Sequence, residues 1–164
     1  MTAGTCALCD RARILDAADP GWLVRTNLWA VSTNPGMSVP GWVAVETIRH
    51  TEGLADLNAT EAADLGPLLC RVSHAVTQAT GSRRVYTYSL GEGCPHTHIL
   101  LGPPGAGQRG AAFLAALLGR DESLTDDAAA RRAASALADE LCLGAPDLAP
   151  PLTPPAHAAT PIER

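Results

Sequence analysis

The chain contains no lysine; its twelve basic residues are all arginine. That absence excludes every mechanism needing a catalytic amine, among them Schiff-base formation, pyridoxal-phosphate anchoring and the lysine of phosphate-binding loops. Aromatic residues are scarce, at 4%, so Trp22, Trp29 and Trp42 read first as core anchors and only second as walls of a base pocket. No stretch approaches the ~20 apolar residues that span a bilayer. The opening residues Met1-Thr2-Ala3-Gly4-Thr5 lack the basic patch and apolar run of a secretory leader. The expectation is a cytoplasmic protein with no membrane partner. Positive charge is not in excess either: the formal net charge is −5, which argues against binding a nucleic-acid polymer through its phosphates.

With 164 residues, 46% of them hydrophobic, the chain can bury one real core. Five cysteines is an odd number, and two stand as Cys6-x-x-Cys9, which in a reducing compartment points to metal or redox chemistry before a disulfide framework. After this Cys6/Cys9 loop, Gly21 to Arg25 and Leu28 to Val31 are β-prone runs around a polar Thr26-Asn27 turn, hence a hairpin. Gly41 to Ile48 reads as a third strand leading directly to Arg49-His50. Asn58-x-x-Glu61 resembles a capping box, and Leu65, Leu68, Leu69, Val72, Ala75, Val76 and Ala79 follow at helical spacing, so an amphipathic helix runs to about Gly81. Arg84 to Leu90 and Pro95 to Leu101 read as two more strands, joined by Gly91-Glu92-Gly93-Cys94. Alanine and leucine dominate 108–119 and 125–143, predicting two further helices. Residues from Gly144 on, rich in Pro and Ala, read as a mobile tail.

The segment Cys94-Pro95-His96-Thr97-His98-Ile99-Leu100-Leu101-Gly102-Pro103 carries the chemistry. Period-2 alternation places His96, His98 and Leu100 on one face and turns Thr97, Ile99 and Leu101 to the core. Two histidines on a strand face are a modest signal alone. Zinc, however, favours four tetrahedral N and S ligands, and a close thiolate pair supplies half of them. His50 at one strand end and His96 at the start of another stand where adjacent sheet ends could complete the set. Against this, Cys6 and Cys9 read equally well as ordinary loop thiols and His50 as a surface residue.

The succession Cys-x-x-Cys, hairpin, Gly-Trp-Val-x-Val-x-x-x-x-His, long helix and Tyr-Ser-Leu-Gly-x-x-x-Pro-His-x-His resembles the histidine-triad superfamily from Cys6 to about Pro104. The resemblance implies an α+β domain over 1–104 with a roughly five-stranded antiparallel sheet and one long helix. A helical extension over 105–143 and the 144–164 tail follow it. It also implies a homodimer and a nucleotide or nucleotide-conjugate substrate that is hydrolysed or transferred. Pro95 and Pro103 fix the register: His96 is the first triad position, His98 the second, and Leu100 stands where a third histidine belongs. A rival register of Cys94, His96 and His98 puts Leu101 where proline is expected. In zinc-containing members the likeness implies a structural zinc on Cys6, Cys9, His50 and His96, and a nucleophilic His98. Asn34 falls where relatives contact the ribose, and Glu92 and Gly93 where backbone donors approach phosphate. Each of these also reads as a turn residue.

The departures point the other way. Leu100 cannot donate to a phosphoryl oxygen, Tyr86 stands in place of a frequent asparagine, and Pro104 in place of a frequent arginine. Losing one donor to a developing oxyanion costs ~3–4 kcal/mol. A nucleotide-binding or sensor protein without catalysis is therefore a second reading, and a metalloenzyme using the Cys/His cluster a third. Cys94, beside both motifs, is either a reactive thiol or an inert one. His74, Cys70, Cys142 and His157 form no motif.

Overall fold

The Asn58 capping box forms as its spacing predicts and sets the long helix in place. In the computed structural model, which describes residues 6–14, 21–33, 37–105 and 110–143, the Asn58 side chain accepts from the amides of Thr60 and Glu61, and Glu61 accepts from the Asn58 amide. These bonds satisfy donors that a helix start otherwise leaves orphaned. The helix, α2 (Ala59–Thr80), ends on Gly81, whose φ of 68° is the left-handed conformation that a glycine cap adopts without a side-chain clash. Its Leu68, Val72, Ala75 and Val76 are buried.

Five antiparallel strands receive that stripe: β1 (Trp22–Arg25), β2 (Trp29–Thr33), β3 (Val43–Thr47), β4 (Tyr86–Tyr88) and β5 (His98–Gly102), in the order β1-β2-β3-β5-β4. Trp29, Val31, Val43, Val45, Ile99 and Leu101 form one core with α2. Each fully buried aliphatic side chain there stabilises the fold by roughly 1.5–3 kcal/mol. Two C-terminal helices, α3 (Gly110–Leu118) and α4 (Asp127–Leu143), follow. α4 contributes Leu137 and Leu141 to the main core, whereas α3 lies with the opposite sheet face, where Phe113 and Leu117 cluster with Val39 and Trp42. Among the described residues no helix is long and apolar enough to cross a membrane.

Three expectations are corrected. The Cys6/Cys9 segment is not a loop: a two-turn helix, α1 (Ala7–Ile14), begins there, its first turn closed by the Asp10 amide donating to the Cys6 carbonyl. A helical start puts residues 6 and 9 one above the other on one face, as a two-ligand pair requires. The last two strands are shorter than the runs that predict them: β4 starts only at Tyr86, and bends and irregular chain from Ser89 to Thr97 take up the facing ends. In consequence His96 precedes β5 and does not share a strand face with His98 and Leu100. Asn34 and the 144–164 tail lie outside the described residues.

Candidate functional site

Two constellations sit on either side of Thr97. In the first, the ligand atoms of Cys6, Cys9, His50 and His96 all lie within 4.8 Å of one another. His96 Nδ1 is 3.4 Å from both sulfurs, and His50 Nδ1 is 3.4 Å from Cys9 Sγ. Zinc–sulfur bonds of about 2.3 Å and zinc–nitrogen bonds of about 2.0–2.1 Å, set at tetrahedral angles, separate S and N by roughly 3.5 Å. The donor set therefore fits one tetrahedral ion. The tautomer fits too. His96 Nε2 is 2.8 Å from the Thr47 carbonyl oxygen, so Nε2 carries the proton and donates, and the Nδ1 lone pair faces the thiols. Burial pushes the His96 pKa down, which keeps the ring neutral. The α1 N-terminus favours thiolates at its first turn.

Neighbouring bonds hold these ligands. Arg49, adjacent to His50, donates from Nε and Nη2 to the two carboxylate oxygens of Glu61 at 3.0 and 2.7 Å, and from Nη2 to the Asp56 carbonyl. The start of α2 thereby fixes the chain at His50. The Thr47, Thr51 and Thr97 hydroxyls interlock beneath His96.

The second constellation is an open cavity of about 460 Å³ on the sheet face away from α2. The β3–β5 register sets Glu46 opposite His98 and Ala44 opposite Leu100, and alternation points all four to the same face. His98 Nδ1 is 2.7 Å from the His96 carbonyl oxygen. That acceptor fixes the proton on Nδ1 and leaves Nε2 with its lone pair in a ring that lines the cavity. Gly91, Glu92, Gly93 and Cys94 form one rim, and Leu117, Leu118 and Arg120 another. Burial pushes the Cys94 thiol up, with the nearby Cys6 adding to it, the direction that disfavours a thiolate. None of the three tryptophans lines this cavity. Trp29 is in the main core, and the Trp42 indole donates to the Pro103 carbonyl while its ring packs near Tyr88 and Phe113.

Sequence reasoning missed three groups here. Glu46 is 2% exposed, accepts from the Ser32 hydroxyl at 3.0 Å and pairs with Arg11 at 3.5 Å. Burial pushes its pKa up, an effect that Ser32, Arg11 and His98 oppose. The signal was an acid interrupting the apolar run Val43-Ala44-Val45. Arg11, whose guanidinium also lies 4.6 Å from the centre of the Trp22 ring, links α1 to the cavity floor; nothing local marks it in the sequence. Arg120 is equally unannounced.

Among solved structures the architecture has clear counterparts. A Hit-like protein involved in cell-cycle regulation from Bartonella henselae superposes with a TM-score of 0.64 at 11% identity, over 85% of this chain and 99% of that one. The fold is histidine-triad-like. A zinc-bound histidine-triad family protein from Mycobacterium smegmatis matches with a TM-score of 0.59 at 14% identity, covering 82% of this chain and 94% of its own. A uridylyltransferase matches with a TM-score of 0.59 at 21% identity over 82% of this chain and 45% of that one. Comparison with protein-family models finds no match, and neither does comparison with curated protein sequences. What these histidine-triad-like structures share with this chain is therefore the fold.

Proposed function

We propose that the chain is a nucleotidyl hydrolase or transferase acting on a small nucleotide conjugate, with His98 as nucleophile. The observation that carries the reading is the His98 ring, half-buried, tied through Nδ1 to the His96 carbonyl and lining a cavity of substrate size. In the first step Nε2 attacks the α-phosphorus. The nitrogen–phosphorus bond forms as the bond to the leaving group breaks, and the leaving group departs with the electron pair. In the second step water or an acceptor hydroxyl attacks the same phosphorus, loses its proton to solvent, and the imidazole is restored. Glu92, Gly93 and Leu100 line the substrate space, and Asn34 belongs to the same reading as a ribose contact.

Cys6, Cys9, His50 and His96 would hold a structural zinc: two thiolates and two neutral imidazoles neutralise the dication and close its coordination sphere. Held there, His96 positions the carbonyl that orients His98. Assembly as a cytoplasmic homodimer is part of the same proposal. The fold shared with a uridylyltransferase supports nucleotidyl chemistry in general terms. Incubating the chain with a panel of nucleotidyl conjugates should release nucleoside monophosphate or its transfer product, and His98→Ala should abolish that release by at least about 10³-fold.

A second reading, nucleotide binding without turnover, is favoured by Leu100, which packs toward Trp42 and Phe113 and offers no donor. Binding of the panel with no product from wild type would select it.

A further inference from the structure

Leu100 and helix α3 belong together. Phe113 is fully buried and Leu117 nearly so, and Leu100 packs against the cluster they form with Trp42. An apolar side chain at position 100 thus seats α3 over the sheet, which a histidine there would hinder. The seated helix then ends at the cavity. Its last carbonyls are closed by amides of the following residues, Arg120 to Leu117 at 3.1 Å and Asp121 to Ala116 at 2.9 Å. Arg120 itself takes the left-handed conformation, with φ 55°, alone among the described non-glycine residues. Glycine favours that position, and Gly119 stands one residue before it. The chain nevertheless puts an arginine there, on the cavity rim.

Among the described residues, Arg120 is the one arginine lining this cavity. No carboxylate among the described residues forms an ion pair with it. Glu46, the buried acid of the floor, is already engaged by Arg11 and Ser32. Exposed guanidinium groups pair readily with phosphate oxygens through two parallel hydrogen bonds.

We propose that Arg120 is the phosphate contact of the cavity, binding the phosphoryl oxygens of a nucleotide whose phosphorus lies at His98. A donor brought by an appended helix thereby replaces the donor that Leu100 cannot provide. The inference rests on the nucleotidyl-transfer reading for the position of the phosphate, but its test is separable from it.

The experiment is calorimetric titration of the full chain with the four common ribonucleoside monophosphates and the matching nucleosides. It compares wild type, Arg120→Gly and, as a control for general charge, Arg83→Gly. Glycine suits the left-handed position, so Arg120→Gly should melt no lower than wild type, and a binding defect cannot be ascribed to unfolding. The expected result is monophosphate affinity at least tenfold weaker in Arg120→Gly, with nucleoside affinity and the Arg83→Gly variant unchanged. Monophosphate affinity within twofold of wild type would overturn the assignment, whatever His98 does. A wild type that binds monophosphate through Arg120 but is not modified on His98 when given nucleotidyl conjugates would remove the transfer reading and leave the contact standing. Equal affinity for nucleoside and monophosphate in wild type would remove both.

Discussion

The Cys/His cluster and the His98 cavity are separated by a single residue, Thr97, yet they are built in opposite ways. The cluster draws its four donors from three places on one rigid frame: the first turn of α1, the segment after β3 and the turn before β5. His96 is oriented by the Thr47 carbonyl, and the chain at His50 is held by the Arg49–Glu61 pair at the capping box. The cavity instead pairs one well-oriented ring with a lining drawn from distant parts of the chain: a buried acid at 46, a leucine at 100 and an arginine that follows α3. Where a site's job is to close a coordination sphere, few residue types suffice and their spacing is tightly set. A cavity lining assembled from residues far apart in sequence carries no such fixed spacing.

Breaking the cluster should have the largest effect. Cys9→Ser removes a thiolate and leaves three donors, so bound zinc measured by elemental analysis should fall well below one equivalent. Structural zinc sites carry ~10–16 kcal/mol of binding free energy in small peptides. If even a third of that supports this fold, the midpoint of thermal unfolding drops by roughly 10–20 °C. A variant with unchanged metal content and melting would show that the four residues do not act as one site.

A milder cut at the same end is Glu61→Ala. It removes half of the capping box and both Arg49 bonds, and the cap alone costs about 1 kcal/mol, roughly 3 °C in melting temperature. Hydrogen bonding from Arg49 holds the Glu61 carboxyl below its ordinary range. Its contribution is therefore present above the ordinary glutamate pKa and lost as pH falls through the depressed one. The melting gap between wild type and Glu61→Ala should narrow on acidification; a gap independent of pH would dismiss the carboxylate's role.

Much of this contrast was legible beforehand. Asn58-x-x-Glu61, the apolar stripe from Leu65 to Ala79 and the paired β-prone runs are local signals whose physics is complete within a few residues, and the structure realises them. The Cys-x-x-Cys pair, the histidine that ends Gly-Trp-Val-x-Val-x-x-x-x-His and the first histidine of Pro-His-x-His named four residues that the fold brings together. The geometry of His96 was not legible, because a bend at Ser89–Thr97 decides where β5 starts. Nor were the partners of Glu46: Ser32 and Arg11 are 14 and 35 positions away in sequence, and only β2–β3 pairing and the docking of α1 bring them near. Leu100 read as a missing histidine, since nothing at positions 98–102 shows that Phe113 and Leu117 will cover it.

The smallest expected effect lies at the cavity floor. Glu46 has its pKa raised by burial, so the folded state holds that proton to higher pH than the unfolded chain does. Stability is then greatest below the ordinary glutamate pKa and declines as pH rises through the elevated one. Glu46→Gln keeps an acceptor for Ser32 and removes the titration. It should match wild type at acid pH and melt slightly higher at neutral pH, as differential scanning calorimetry across that range would show. A variant that melts lower at neutral pH would mean that the Arg11 pair outweighs the cost of burial.

The central claim is that His98, oriented by the His96 carbonyl, forms a covalent bond to phosphorus. It is tested most directly by intact-protein mass spectrometry on the zinc-loaded chain, quenched within seconds of mixing with nucleotidyl conjugates, followed by peptide mapping. The predicted result is a mass increase of one nucleotidyl group, acid-labile, located on the peptide containing His98 and absent from His98→Ala. Product release with no such adduct, or release that persists in His98→Ala, would contradict it.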